Sequence, residues 1–285
     1  MSKLRIAIQK KGRLSEKSIQ LLRECGIKVS NGNGKLKAEA SNFPLELLFL
    51  RDDDIPQYVE QKVADVGILG ENEVIEQDRY VEITQRLGFA ACRLSLAIPK
   101  EEEYTGLEFF KDKNVATSYP NILKSFFKEK GINVQVEKIS GSVEIAPGIG
   151  LSDAICDIVS TGSTLMFNGL KEVEEVIKSE AVMITNKTLS KEKVQILDKL
   201  LFRIKSVLLS KEYKYILLNA PNDSLDTIIS IIPGMKSPTI LPLSEEGWSS
   251  LHSVVREDEF WEVIEQLQDN GAEGILVSSI EKMIL

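Results

Sequence analysis

Residues 155–170 read ICDIVSTGSTLMFNGL. An apolar strand, Ile155–Val159, runs directly into Ser160-Thr161-Gly162-Ser163-Thr164, and a helix is expected to follow. Strand, small-residue loop and helix in succession form the repeating unit of an α/β fold, in which ligands meet the sheet at its strand ends. The loop also has anion chemistry. Four hydroxyls and consecutive backbone N–H groups are short-range donors without bulk, and Gly162 permits a positive φ and close approach. A helix N-terminus adds about +0.5 of an elementary charge. The alternative is a Ser/Thr-rich helix cap with no ligand. The segment is not a P-loop, because no GxxxxGK[ST] is present. Gly148-Ile149-Gly150 is not a dinucleotide fingerprint either, because Asp153 stands where the third glycine would be.

Strand and helix signals alternate on either side of this segment. Leu4–Ile8 reads as a buried strand, Gly12-Arg13 as a turn, and Ser15–Cys25 as a helix closed by Gly26. Leu45–Leu50 and Ala64–Leu69 are strands, and Gly70-Glu71 opens a helix. Asp52–Asp54 before Ile55-Pro56 is read as a helix start rather than a magnesium site, since acids suit the positive end of a helix and proline its first turn. Strands are also expected at Arg93–Ile98, Lys113–Ser118, Val134–Lys138, Cys156–Val159 and Glu180–Ile184, with the Gly148–Ala154 region continuing the second α/β unit. Helices are expected from Tyr119-Pro120 to Phe127 and from Ser190 to about Lys205. The alternation predicts a mostly parallel sheet covered by helices, arranged as two intertwined α/β lobes around a cleft.

Beyond about Lys211 the pattern changes. Lys214–Leu218, Thr239–Leu243, Trp248–Val255 and Gly274–Ile280 read as strands, with helices at Ser224–Ile232 and Glu257–Asn270. The order βαββαβ predicts a ferredoxin-like domain. The expected division is residues 1–93 with 176–208 as one lobe, 94–175 as the second, and 209–285 as the C-terminal domain.

Composition narrows the function classes. The 285 residues are 43% hydrophobic and 27% charged, ordinary for a folded chain. A net charge of -8 argues against a general nucleic-acid surface. No apolar run reaches membrane-spanning length, and the N-terminus lacks the apolar core of a secretory signal. Three scattered cysteines fit a reducing cytoplasm, and the single histidine, His252, argues against a His-based zinc site or catalytic triad. Anionic ligands would need local positive charge, which Lys10, Lys11 and Arg13 supply at the end of the first strand. A solvated basic turn is the alternative. Lys35, after the NGNG turn, is a further cation. Glu144, Asp153 and Asp157 precede the hydroxyl loop and suit ribose hydroxyls or a magnesium ion, with helix caps or strand-end surface charges as the alternative.

Taken in order, LRIAIQKKGRLSEKS, LRDDDIP, ADVGILGENE, CRLSLAIP, ATSYP, GSVEIAPGIGLSDAICDIVSTGSTL with NGL, and PTILPL resemble the ATP phosphoribosyltransferases that open histidine biosynthesis. The resemblance spans nearly the whole chain and favours the long form, which carries its own regulatory domain. It implies a periplasmic-binding-protein-like catalytic part and transfer of the 5-phosphoribosyl group of phosphoribosyl diphosphate to N1 of ATP, with Mg2+. Asp157, Ser160, Thr161, Gly162, Ser163 and Thr164 would hold the phosphoribosyl group, with Glu144 near the sugar. Lys10, Lys11, Arg13, Lys35, Gly70 and Glu71 would face ATP or diphosphate. Arg13, Lys10 and Asp157 are the residues expected to carry catalysis. Thr239 would contact histidine, the feedback inhibitor. A homo-oligomer, dimers pairing into hexamers, is expected, with no separate regulatory subunit.

Overall fold

The computed structural model describes residues 2–29 and 36–285. The chain divides into two compact units, residues 1–23 with 27–197, and residues 24–26 with 198–285.

The first unit holds two sheets. Its opening elements are β1 (Leu4–Gln9), α1 (Arg13–Glu24), β2 (Lys37–Glu39), β3 (Leu45–Leu50), α2 (Ile55–Glu60), β4 (Val66–Gly70), α3 (Glu71–Gln77) and β5 (Glu82–Arg86). Then follow β6 (Cys92–Pro99), β7 (Asn114–Thr117), α4 (Pro120–Lys130), β8 (Gln135–Lys138), β9 (Ala154–Val159), α5 (Ser163–Phe167), β10 (Leu170–Ser179) and β11 (Ala181–Thr185). One sheet has the order β2-β3-β1-β4-β11-β5 and the other β10-β6-β9-β7-β8. The chain therefore leaves the first sheet after β5, builds the whole second sheet, and returns as β11 between β4 and β5.

The central strands form where the sequence is predominantly apolar. Leu4, Ile6, Ala7 and Ile8 of β1 are fully buried, as expected for a strand covered on both faces. Asp65, itself buried, fixes the start of β4: it accepts the Arg5 backbone N–H at 2.8 Å and Lys193 Nζ at 2.7 and 2.8 Å. In the second sheet, Leu94, Leu96 and Ile98 of β6 pack with Phe110 and Phe127.

The sheets are mixed rather than mostly parallel. Only β3-β1-β4 and β9-β7-β8 run parallel, and β11, β5, β6, β10 and β2 are antiparallel to their neighbours. The region before β9 is a single helical turn at Pro147–Ile149 followed by coil up to Ala154. Pro147 cannot donate to a ladder, and Gly150 takes φ +74.

The long helix α6 (Lys191–Lys211) leads into the second unit. There β12 (Tyr213–Pro221), α7 (Leu225–Ile231), β13 (Thr239–Pro242), β14 (Trp248–Arg256), α8 (Phe260–Asp269) and β15 (Glu273–Ser279) follow in order. The sheet order β13-β14-β12-β15, antiparallel throughout, is ferredoxin-like. Ile216, Leu218 and Ala220, alternate residues of β12, pack against Ile228 of α7 and Leu267 of α8. Among the described residues no helix is long and apolar enough to cross a membrane.

Candidate functional site

A cavity of about 570 Å3 opens in the first unit. Arg13 and Lys17 reach it from α1, Asp52 from the turn after β3, and Gly70, Asn72 and Glu73 from the β4–α3 junction. The second sheet contributes Cys92, Tyr119, Ile158 and Ser160. The cavity thus joins Arg13, the GILGEN segment and the first residue of the hydroxyl loop, which lie far apart in sequence.

The loop has the conformation its glycine allows. Gly162 takes φ +77 and precedes α5, a helix of only five residues, so little helix dipole stands behind it. Ser160, Thr161, Ser163 and Thr164 are exposed, and the Thr161 and Ser163 hydroxyls lie 3.1 Å apart. Asp157 sits at the end of β9, where its carboxylate accepts the Ile158 N–H at 2.8 Å. Burial raises its pKa to about 6, the Ile158 bond opposing and the charge of nearby Glu144 adding to the rise. Glu144 lies on the turn Val143–Ile145, which follows Ser142 in the left-handed region. Asp153 has a structural partner: its carboxylate accepts the Asn114 N–H at 2.8 Å at the edge of β7.

Not every expected residue faces this cavity. Lys10 and Lys11 are exposed between β1 and α1 and are not among its lining residues. Glu71 points into a neighbouring cavity of about 540 Å3, where it takes Arg86 Nη1 and Nη2 at 2.6 and 2.5 Å. Glu180 shares Arg86 at 3.2 Å and accepts the Gly88 N–H at 3.0 Å, bracing the two segments that connect the sheets. Lys35 lies outside the described residues.

Other lining residues were not expected from sequence. Glu73 is 8% exposed, and its pKa is pushed up to about 7 by burial first, then by Asp52, Asp53 and Glu76. The Tyr119 hydroxyl donates to it and opposes the rise. Burial drives the Tyr119 hydroxyl well above its ordinary value, with Glu73 and Asp157 adding to it. Asp52 belongs to a helix-starting turn, as expected, yet also faces the cavity and takes Gln9 Nε2 at 3.2 Å. Lys17 could have been found, because it lies one helical turn beyond Arg13 on the same face. Glu73 gave no comparable signal, since an acid in a helix's first turn is ordinary. Glu76, one turn further along α3, accepts the N–H groups of Asn121 (3.1 Å to each oxygen) and Ile122 (3.0 Å), capping α4 from the other sheet.

The second unit carries a cavity of about 560 Å3 lined by Lys236, Ser237, Thr239, Tyr215 and His252 among others. Thr239 is the ladder partner of His252, and the Tyr215 hydroxyl is 2.6 Å from His252 Nδ1.

Fold and cavity define an α/β protein with a polar cavity in its first unit and a ferredoxin-like C-terminal domain. Comparison with known proteins narrows the class. The family model described as ATP phosphoribosyltransferase matches residues 51–206, and that for the HisG C-terminal domain matches residues 210–282. ATP phosphoribosyltransferases of Cytophaga hutchinsonii and Bacteroides fragilis are 57% and 58% identical, each alignment covering 99% of this chain and 98% or 100% of the relative. A solved ATP phosphoribosyl transferase (HisG:HisZ) complex from Thermotoga maritima contains a chain 30% identical, with a TM-score of 0.60 over 71% of this chain and 98% of that one. A periplasmic sulfonate-binding protein from Methylobacillus flagellatus, 13% identical, shares the fold with a TM-score of 0.51 over 72% of this chain and 67% of that one. The chain belongs to the ATP phosphoribosyltransferase family and is a transferase of histidine biosynthesis.

Proposed function

We propose that the protein transfers the 5-phosphoribosyl group of phosphoribosyl diphosphate to N1 of ATP, releasing diphosphate and giving N1-(5-phosphoribosyl)-ATP. The observation that carries this reading is the cavity shared by Arg13, Gly70 and Ser160. The Ser160–Thr164 loop takes the 5-phosphate, and Asp157 and Glu144 accept ribose hydroxyls. Arg13 forks onto phosphate oxygens of ATP or diphosphate, Lys10 and Lys11 add point charge beside it, and Gly70 and Glu71 shape the nucleotide side. Lys35 belongs with these cations by sequence alone.

The chemistry makes modest demands. Diphosphate is a good leaving group, and the transition state at the anomeric carbon has oxocarbenium character. Catalysis then rests on aligning two polyanions and offsetting charge on the departing diphosphate. No general base is required of the chain. Magnesium, when bound, supplies further positive charge to the diphosphate. Hard oxygen donors suit it, and Asp157 with Glu144 provides them; a magnesium ion takes one or two carboxylates and completes its shell with phosphate and water. Among the described residues no three His, Cys, Asp or Glu side chains gather around one metal position, a count that such a site does not need.

The second unit is read as the regulatory domain, with Thr239 and its cavity receiving histidine as a feedback inhibitor. The Thermotoga maritima chain matches 71% of this chain and belongs to a two-component complex, whereas here residues 210–282 match a C-terminal domain of their own. That supports regulation within one chain, with no separate regulatory subunit; the reading is completed by a cytoplasmic homo-oligomer of dimers pairing into hexamers. The proposed divisions are residues 1–93 with 176–208, 94–175, and 209–285.

Incubating the protein with ATP, phosphoribosyl diphosphate and magnesium tests the reading through the ultraviolet absorbance of the product. Turnover that histidine suppresses is expected. A correctly assembled protein that yields no product would refute it.

A further inference from the structure

The hydroxyl loop has little packing of its own. Its four hydroxyl residues are exposed, and the helix after it is five residues long. Fixing a loosely packed backbone costs conformational entropy at every residue, so such a loop holds a ligand well only if something orders it beforehand.

One side chain reaches it from the neighbouring strand. Arg93, near the start of β6, lies opposite Val159 in the ladder, one residue before the loop. Its Nε and Nη2 fork onto the carboxylate of Glu172 in β10, with Nη2 at 2.5 Å. Its Nη1 donates to the backbone carbonyl of Ser160 at 3.3 Å. One guanidinium therefore ties β10, β6 and the exit of β9 together. The pair stands fully charged: Arg93 holds the Glu172 carboxyl below its ordinary value, and Glu172 raises that of Arg93.

We propose that Arg93 is a positioning residue for the phosphate loop: clamped by Glu172, it holds the Ser160 carbonyl and sets the backbone that enters Ser160–Thr164 in the shape that receives the 5-phosphate. This rests on the reading of the loop given above. The competing role, direct phosphate binding by Arg93, fits the geometry less well. All three guanidinium nitrogens already point at Glu172 or Ser160, and a carboxylate matches the charge.

Three variants of the full chain test it: Arg93→Gln, Arg93→Lys and Glu172→Gln. The measurements are phosphoribosyl diphosphate affinity by calorimetry, KM for each substrate, and hydrogen exchange of the peptide spanning residues 157–168. Arg93→Gln should weaken phosphoribosyl diphosphate binding tenfold or more, leave KM for ATP within twofold, and speed exchange in the loop. Arg93→Lys should not rescue it, because an ammonium cannot hold both partners in a planar fork. Glu172→Gln should weaken binding in the same direction by several-fold, and it carries the test should Arg93→Gln fail to fold. Tighter or unchanged binding in Glu172→Gln, rescue by lysine, or unchanged loop exchange would each overturn the proposal. If the unaltered protein binds no phosphoribosyl diphosphate, the reading of the loop fails instead, and the exchange rates still decide whether Arg93 orders the backbone.

Discussion

Replacing Glu73 with Gln should stabilise the protein at alkaline pH and leave its stability unchanged at acid pH. Glu73 is buried among Asp52, Asp53 and Glu76, which with desolvation raise its pKa from 4.5 to about 7. A raised carboxyl binds its proton more tightly in the folded chain than in the unfolded one. The folded state is therefore favoured at low pH, and that advantage is lost as pH climbs from about 4.5 to about 7. Above the window the ionised group costs up to about 3 kcal/mol, at about 1.4 kcal/mol per pH unit. Gln is nearly isosteric, keeps an oxygen for the Tyr119 hydroxyl, and carries no charge. For a unit of this size about 3 kcal/mol corresponds to a rise in Tm of roughly 6–12 °C. Thermal unfolding of both proteins from pH 4 to pH 8.5 would measure it. The difference in Tm should grow through the window and level off above it. A difference independent of pH, or a variant less stable at pH 8, would refute the assignment of a buried, electrostatically penalised carboxyl at this position.

Other substitutions separate binding from stability. Asp157, raised to about 6, accepts ribose hydroxyls more strongly when ionised, so phosphoribosyl diphosphate affinity should fall as pH drops below about 6, and Asp157→Asn should flatten that dependence in calorimetry. Gly162→Val forces a β-branched residue to φ +77, a strain of about 1–2 kcal/mol, and should weaken the same affinity about tenfold; wild-type affinity would contradict the role of an open backbone there. Asp65→Ala leaves Lys193 and the Arg5 N–H without their buried partner and should cost about 3–5 kcal/mol in chemical denaturation, with kcat of the folded enzyme unchanged. Thr239→Ala should raise the histidine concentration needed for half inhibition several-fold, and unchanged inhibition would move the effector site elsewhere.

The strands that position the cleft were legible because they are mostly apolar: β4 reads as a continuous hydrophobic run, and β1 and β9 as runs broken only by Arg5 and Asp157 before their ends. β10 was not. Its LKEVEEVIKS is rich in Lys and Glu, and its pairing with β6 slips twice, so burial does not alternate along it. The site divides in the same way. Arg13, Gly70 and Ser160 lie at strand ends, where local sequence marks a turn. Glu73, Asn72 and Tyr119 reach the cavity only through tertiary convergence, and Glu73 sits in a helix's first turn, where an acid is unremarkable. The hydroxyl loop's glycine was readable from its neighbours, whereas Arg93, which supports that loop, lies in an apolar strand 67 residues earlier.

The return of β11 into the first sheet also constrains how the protein is made. β1, β3 and β4 leave the ribosome early, yet β4 and β5 cannot become sheet partners until Ala181–Thr185 arrives between them. The whole second sheet is synthesised in the meantime, a delay on the order of ten seconds at about 5–20 residues per second. During that interval the first sheet has an open edge at β4, where apolar Val66, Ile68 and Leu69 await a partner. The vulnerable species during synthesis is therefore the nascent N-terminal half, and chaperone dependence should concentrate on chains that have not yet reached Thr185.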